Sequence, residues 1–440
     1  MPDPHIDWDA VTQEATGLLC QLLRIDTTNP PGNEEPAARF LADVLRRNGI
    51  DDLTFYDASD ADSQGRLNLR AVIKGDGSAR PLVLLNHTDV VPVEREGWRE
   101  EPFAGAIKDG VIWGRGTLDM KGMGVLELMV MLLVKRHNIP LKRDLVFLAV
   151  ADEEAGSKYG AEFLAQHHPE ALEAEYVINE GGWGTTEVLG VPRPAFNCAV
   201  SEKGPCWLRL STEGRPGHGS VPHDNNALDR LVRALHRILE WRRDREVVPE
   251  LAEYFARAHK AGFMSEPPTD ASIKALAERN PLISAFTTNT ISLTTARSGV
   301  KHNVIPATAE ATIDCRLLPG ADAEAFIEEV RRVIDDPDVR IEPILVSGTP
   351  PSPIDTELMS AIHAVVRDHI EDAVILPSVS AGFTDSRVFR RNGVTAYGFI
   401  PFLLEPAEAI TIHGHNERVS IDNLRLGCQM LFDLVRKIAT

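Results

Sequence analysis

The chain of 440 residues is long enough for two or three domains, or for one large domain carrying an inserted one. Its 43% hydrophobic and 25% charged residues are a globular composition, which excludes disordered and fibrous classes. With 46 basic against 65 acidic residues the formal charge is −19, which argues against general affinity for nucleic acid or an anionic membrane and points to a small or neutral partner.

The amino-terminal segment MPDPHIDWDAV has neither a basic nor an apolar leader region, so no secretory signal is expected. Apolar residues recurring every three to four positions predict two helices between Val11 and Asn48, separated by the TTNPPGN turn at Thr27–Asn33. Arg66–Ile73 and Pro81–Asn86 read as strands; the second, LVLLN, is continuously apolar, as a strand buried on both faces would be. Lys121–His137 reads as a helix. Its apolar run Met123–Val134 contains Glu127 and is too short for a bilayer, so no membrane span is expected. A strand at Asp144–Ala151 and a helix at Ser157–Gln166 continue an alternation typical of an α/β layered domain. Around Ala199 the pattern changes to alternating strands (Trp207–Thr212, Thr288–Thr295, Ala309–Leu317), a GRPGHGSVPH loop and a helix from Ala227, which together predict an inserted α+β domain. Residues 244–281 read as a helical excursion from it, and the α/β pattern is expected to resume after Pro319. The five cysteines, Cys20, Cys198, Cys206, Cys315 and Cys428, form no CxxC pair and read as buried apolar residues in a reducing compartment, so a cytoplasmic location is expected.

His, Asp and Glu cluster where strands end, which is where metal and catalytic sites of α/β sheets assemble. His87 follows LVLLN, with Asp89 two residues on, able to accept the other ring N–H. Asp119 closes the glycine-rich turn GRGTLDMKG, which fits no phosphate loop, and also reads as a helix N-cap. Asp152-Glu153-Glu154 follows a buried strand, where adjacent carboxylates need a compensating cation unless the loop is solvated. Glu180 lies in VINEGG, and His413 in IHGHNE beside His415 and Glu417. Singly each feature has a plain structural reading. As a set, two histidines and three carboxylates would hold two metals sharing a bridging carboxylate, with one Glu free as a base. No GxSxG elbow of a serine hydrolase is present.

These motifs, with HTDVVPV, EGW, VSEKG, ERNPL, GVKHNVIP, TDSRVF and IHGHNERVS, make nearly the whole chain resemble the di-zinc amidohydrolases that include aminoacylase, acetylornithine deacetylase, succinyl-diaminopimelate desuccinylase and carboxypeptidase S. The likeness is nearest to the branch of carboxypeptidase S and the N-fatty-acyl-amino-acid synthase/hydrolases. It implies an α/β, zinc-exopeptidase-like catalytic domain with a central mixed sheet flanked by helices (1–198 and 319–440), carrying an α+β lid and dimerisation domain (199–318). It implies two Zn2+ per subunit, replaceable by Co2+ or Mn2+: one on His87, Asp119 and Glu180, the other on Asp119, Glu154 and His413. Glu153 would be the general base and Asp89 would orient His87. His218 would stabilise the oxyanion of a neighbouring subunit's site, and Asn303, Arg316, Gly382 and Thr384 would bind substrate. Two departures from the pattern are Asn179 before Glu180, where relatives often carry Asp, and Phe383, where some carry a hydroxyl residue. The implied activity is hydrolysis of N-acyl-L-amino acids by a homodimer. A carboxypeptidase or dipeptidase on the same site is the alternative, and a metal-bound scaffold without turnover the third reading.

Overall fold

The computed structural model describes residues 5–440; the first four, part of the segment expected to carry no leader, lie outside the described residues. In chain order the principal elements are helices α1 (Trp8–Leu23) and α2 (Glu35–Arg47), strands β1 (Leu53–Asp57), β2 (Leu67–Ile73) and β3 (Leu82–His87), helix α3 (Lys121–Arg136), β4 (Leu145–Val150), α4 (Ala161–His167), β5 (Tyr176–Thr185) and β6 (Ala195–Glu202). There follow β7 (Gly204–Glu213), α5 (Ala227–Glu240), α6 (Pro249–Lys260), α7 (Asp270–Ala277), α8 (Pro281–Phe286), β8 (Thr290–Ser298), β9 (Thr308–Leu317), α9 (Ala323–Ile334) and β10 (Val339–Val346). The chain closes with α10 (Glu357–His369), β11 (Val374–Ser380), α11 (Ser386–Arg391), β12 (Thr395–Leu404) and α12 (Ile421–Ala439).

Eight strands form a mixed sheet in the order β1-β2-β4-β3-β5-β12-β6-β11, with helices on both faces. The run LVLLN shows why β3 is apolar throughout. Leu82 and Leu84 face the core under α1, α3, α10 and α12, whereas Val83 and Leu85 face the opposite core under α4 and α11. Helix α3 is buried almost all round, including Glu127, whose carboxyl accepts from Asn86 Nδ2 at 2.6 Å and is pushed well above the usual range by burial. The helix expected from Ser157 starts only at Ala161, because Gly156 and Ser157 have positive φ (108° and 67°) and cannot begin a right-handed turn.

The inserted domain is larger than expected at its carboxyl side. Its sheet runs β8-β9-β7-β10, and α5 and α9 cover it through Leu231, Ala234, Phe326 and Val330. The expected boundary at residue 319 is therefore corrected: Gly320 (φ 77°) forms a turn inside the insert, and α9 and β10 complete that domain before the chain returns. At the amino side Ala199–Glu202 belong to β6 of the large sheet, so the insert spans 204–346 rather than 199–318. The excursion is also placed differently: α6, α7 and α8 pack on the edge of the large sheet, with Leu251, Phe255, Ile273 and Ile283 in one cluster with Val379 of β11. All five cysteines are free and buried. Among the described residues, no helix is long and apolar enough to cross a membrane.

Candidate active site

Parallel pairing of β3 with β4, His87 opposite Val150, and of β3 with β5 up to Leu84 opposite Ile178 brings the carboxyl-terminal ends of β3 and β4 beside the middle of β5. His87 ends β3, Glu153 and Glu154 follow β4, and Glu180 lies in β5. Asp119 precedes α3 but does not cap it: Met120 occupies the N-cap position and makes no side-chain cap bond. The Asp119 carboxylate instead faces two imidazoles, Oδ1 at 3.0 Å from His87 Nε2 and Oδ2 at 2.9 Å from His413 Nε2. Glu180 Oε1 is 3.5 Å from His87 Nε2, and Glu154 Oε2 is 3.3 Å from His413 Nε2. Ligand atoms of His87, Asp119 and Glu154, and those of His87, Glu153 and Glu180, lie within 4.8 Å of one another.

The charges are poorly balanced by protein alone. Burial, then the charge of Asp119, pushes Glu180 well above the usual carboxylate range and Glu154 up to about 7. Burial also raises Glu153 strongly, against the pull of His87 and with the repulsion of Glu154, Asp385 and Asp119. Burial alone would raise Asp119 too, but His413 and His87 on its two oxygens hold it well below that range. The same carboxylates, Asp119 and Glu154, lift His413 to about 10. Burial would lower His87, yet Glu180, Asp119 and Asp89 hold it well above its ordinary value. Glu154 Oε1 is buried with no hydrogen-bond partner among the described residues. Imidazole and carboxylate donors around a carboxylate that offers one oxygen to each side fit a pair of divalent cations. His413 and Asp152, at the edge of the cluster, hold positive φ (58° and 67°), a strain common at functional sites.

Asp89 is fully buried behind His87, whose Nδ1 is 3.0 Å from the Asp89 carbonyl and 3.3 Å from its carboxylate. Sequence reasoning missed the equivalent support for Asp119. Glu417, fully buried, accepts from Arg115 Nη1 (2.6 Å) and from the N–H groups of Gly116, Leu118 and Asp119 (3.0, 2.7 and 3.2 Å), fixing the glycine-rich turn. Its only sequence signal was proximity to His413.

A cavity of about 340 Å³ opens on the cluster and is bounded by Arg316, Gly382 and Thr384 on one side and by the apolar Trp183, Ile400 and Ile412 on another. Arg316 lies against the rings of Trp207 and Phe383 (5.5 and 4.9 Å to the centroids), and Asp314 takes its Nε and Nη2 at 2.7 and 3.0 Å. His218 and Asn303 are not brought there. They adjoin each other on the surface of the insert, where His218 pairs with Val304 and the Gly219 N–H donates to the Asn303 carbonyl at 2.8 Å. His415 lies on the surface 3.5 Å from Glu94.

The chain is 29% identical over 383 residues to the human (Homo sapiens) N-fatty-acyl-amino acid synthase/hydrolase PM20D1, covering 83% of this chain and 75% of that protein. It is 28% identical to mouse (Mus musculus) aminoacylase-1, covering 100% of this chain and 97% of that one. In fold it is similar to an M20 family metallo-carboxypeptidase, Sso-CP2 from Sulfolobus solfataricus, with a TM-score of 0.75 at 18% identity over 96% of this chain and 98% of the other. The profile of peptidase family M20/M25/M40 matches residues 83–437, and the chain belongs to that family of metallo-amidohydrolases and peptidases.

Proposed function

We propose that the protein hydrolyses the amide bond of N-acyl-L-amino acids, releasing an amino acid and a carboxylic acid, with two Zn2+ per subunit that Co2+ or Mn2+ can replace. The observation that carries this reading is Asp119, which offers one oxygen to the His87 side and the other to the His413 side at the floor of a cavity containing Arg316. His87 and Glu180 would complete one metal position, and Glu154 and His413 the other. When bound, the metals lower the pKa of a water and polarise the substrate carbonyl. Glu153, its affinity for a proton raised by its surroundings, would take the proton of the attacking water and return it to the leaving nitrogen. Asp89 would hold His87 in one orientation. Arg316, with Nη1 left free by Asp314, would take the carboxylate of the substrate beside Gly382 and Thr384.

The cavity lining also favours an acyl group over a free peptide amine. Among the described residues, the only acids bounding it are those of the cluster itself, so no carboxylate is left to hold an α-ammonium, and Trp183, Ile400 and Ile412 suit an apolar chain. His218 and Asn303 would act on the site of a second copy, reached through a lid-domain homodimer. The exposed Leu228, Val232 and Leu239 of α5 and the exposed edge strand β8 support that contact. A cytoplasmic location belongs to the same reading, with five free cysteines in support.

A panel of N-acyl amino acids, their carboxamides and dipeptides, assayed with Zn2+, tests the proposal. Acyl amino acids are expected to be cleaved fastest and the carboxamides poorly. Faster cleavage of dipeptides would move the assignment to a dipeptidase.

A further inference from the structure

The Thr27–Asn33 turn, legible in the sequence only as punctuation between two helices, is wedged beneath the loops that carry the acidic cluster. The Val90 N–H donates to the Thr27 carbonyl (3.1 Å), the Asn29 N–H donates to the Val90 carbonyl (2.9 Å), and Thr27 Oγ1 donates to the Thr88 carbonyl (2.6 Å). This pairing sets the Asn29 side chain, 2% exposed, between carboxylates of two different loops. Asn29 Nδ2 donates to Asp89 Oδ2 at 2.8 Å and to Asp152 Oδ1 at 2.9 Å, which uses both of its hydrogens. Arg66 Nη2 donates to Asn29 Oδ1 at 3.3 Å, so the amide cannot flip without setting two N–H groups against a guanidinium. Arg66 is itself anchored on Glu34 Oε1 and the Pro31 carbonyl, both at 2.6 Å. Its path requires glycine at position 32, where φ is 77° and an added Cβ would fall 1.7 Å from Arg66 Nη1.

Both carboxylates held by Asn29 organise neighbours in the cluster. Asp89 touches the ring of His87 and also accepts the N–H groups of Glu153 and Glu154, each at 3.1 Å. Asp152 Oδ2 accepts the Tyr159 N–H at 3.1 Å, closing the loop that presents those two glutamates. One buried amide therefore ties the loop of His87 to the loop of Glu153 and Glu154. We infer that Asn29 is a positioning residue that fixes the spacing of these two loops, with Arg66 selecting the amide orientation that serves both. Without it, the Asp89 and Asp152 carboxylates would lose the donor they share, leaving the two loops joined through the Glu153 and Glu154 N–H groups on Asp89 and free to shift against each other. The inference rests on the reading that His87 and Glu154 hold metal.

Chelator competition on the metal-stripped full chain, with Zn2+ as probe, tests it for the wild type, Asn29→Ala, Asn29→Ser and Thr27→Val. Asn29→Ala is expected to weaken Zn2+ binding roughly 10- to 100-fold, the usual cost of losing support behind a ligand, and to lower kcat with little change in KM. Asn29→Ser keeps one donor and should fall between. Thr27→Val loses a turn contact but keeps the amide, and its Zn2+ affinity should stay near that of the wild type. An Asn29→Ala protein with a lower Tm but unchanged Zn2+ affinity, or affinity losses equal in the Asn29 and Thr27 variants, overturns the inference. Should Asn29→Ala fail to fold, Asn29→Ser against Thr27→Val gives the same comparison. A wild-type protein that binds no Zn2+ sinks the metal reading together with this one, whereas wild-type binding that the Asn29 variants leave unchanged sinks this one alone.

Discussion

Glu153 and Glu154 are adjacent in sequence, yet their surroundings separate them. Glu154 lies 3.3 Å from His413 and groups with His87 and Asp119, whereas Glu153 groups with His87 and Glu180. With Glu153 as the proposed base rather than a ligand, Glu153→Gln is expected to lower kcat by about 10²- to 10⁴-fold, the usual worth of a positioned acid–base group, while metal content stays near that of the wild type. Metal analysis of the purified variant checks this; metal lost in step with activity would make Glu153 part of the cage. The cluster residues were legible in the sequence only as a set, because each alone had a plain structural reading and it was their recurrence beside apolar elements that pointed to metal. Glu417 and Asn29 were not, because their partners are backbone N–H groups or side chains far along the chain, and such contacts leave no local pattern.

At the scale of elements, the passage from β6 to β7 is fastened by Lys203. It is fully buried, and Nζ donates to the carbonyls of Ala285 and Thr288 (both 2.8 Å) and to Thr290 Oγ1 (3.0 Å). Burial, then the nearby charges of Arg316 and Arg243, lowers its pKa to about 7 against 10.5 for a free lysine. Between those values the unfolded chain binds the extra proton, so stability rises with pH. The cost of burying the ammonium is fully present below pH 7 and is relieved as pH climbs toward 10.5. Urea midpoints at pH 7, 8 and 9 should show the wild type gaining on Lys203→Met across the series. A constant gap would mean that the three acceptors keep Nζ charged throughout. The elements themselves were largely readable, since β3 and β4 are continuous apolar runs, α3 is apolar but for Glu127 within its central run, and α12 repeats its apolar residues at helical spacing. Their allegiance was less so: α9 and β10 show the same helix-then-strand texture as the large domain, and only the pairing of β10 with β7 and the packing of α9 on that sheet assign them to the insert. Strand β11 went unread because it contains Pro377, which is tolerated there because the strand is at an edge.

For the whole molecule, the position of His218 outside the cavity makes activity a property of pairs of chains if the proposed lid contact forms. Mixing His218→Ala with Glu153→Gln should then restore turnover, because each mixed dimer would contain one site with both residues intact. Activity measured after independently verified subunit exchange decides it. Exchange without recovery would leave His218 to act within its own chain or in folding alone.

The docking of α6, α7 and α8 on β11 has a consequence for how far this protein is modular. The insert begins and ends once in the sequence, but the chain also leaves its sheet after α5 and re-enters at β8, so four segments cross between the two bodies. Cutting out 204–346 to obtain a lidless enzyme would also strip the helices from the flank of β11 and bare Val379 and Leu376 to water. The same four crossings tie the insert to the large domain, two of them through helices packed against β11. The insert is thus anchored in the large domain by helices that the large sheet holds in place, and it cannot be lifted out as a module.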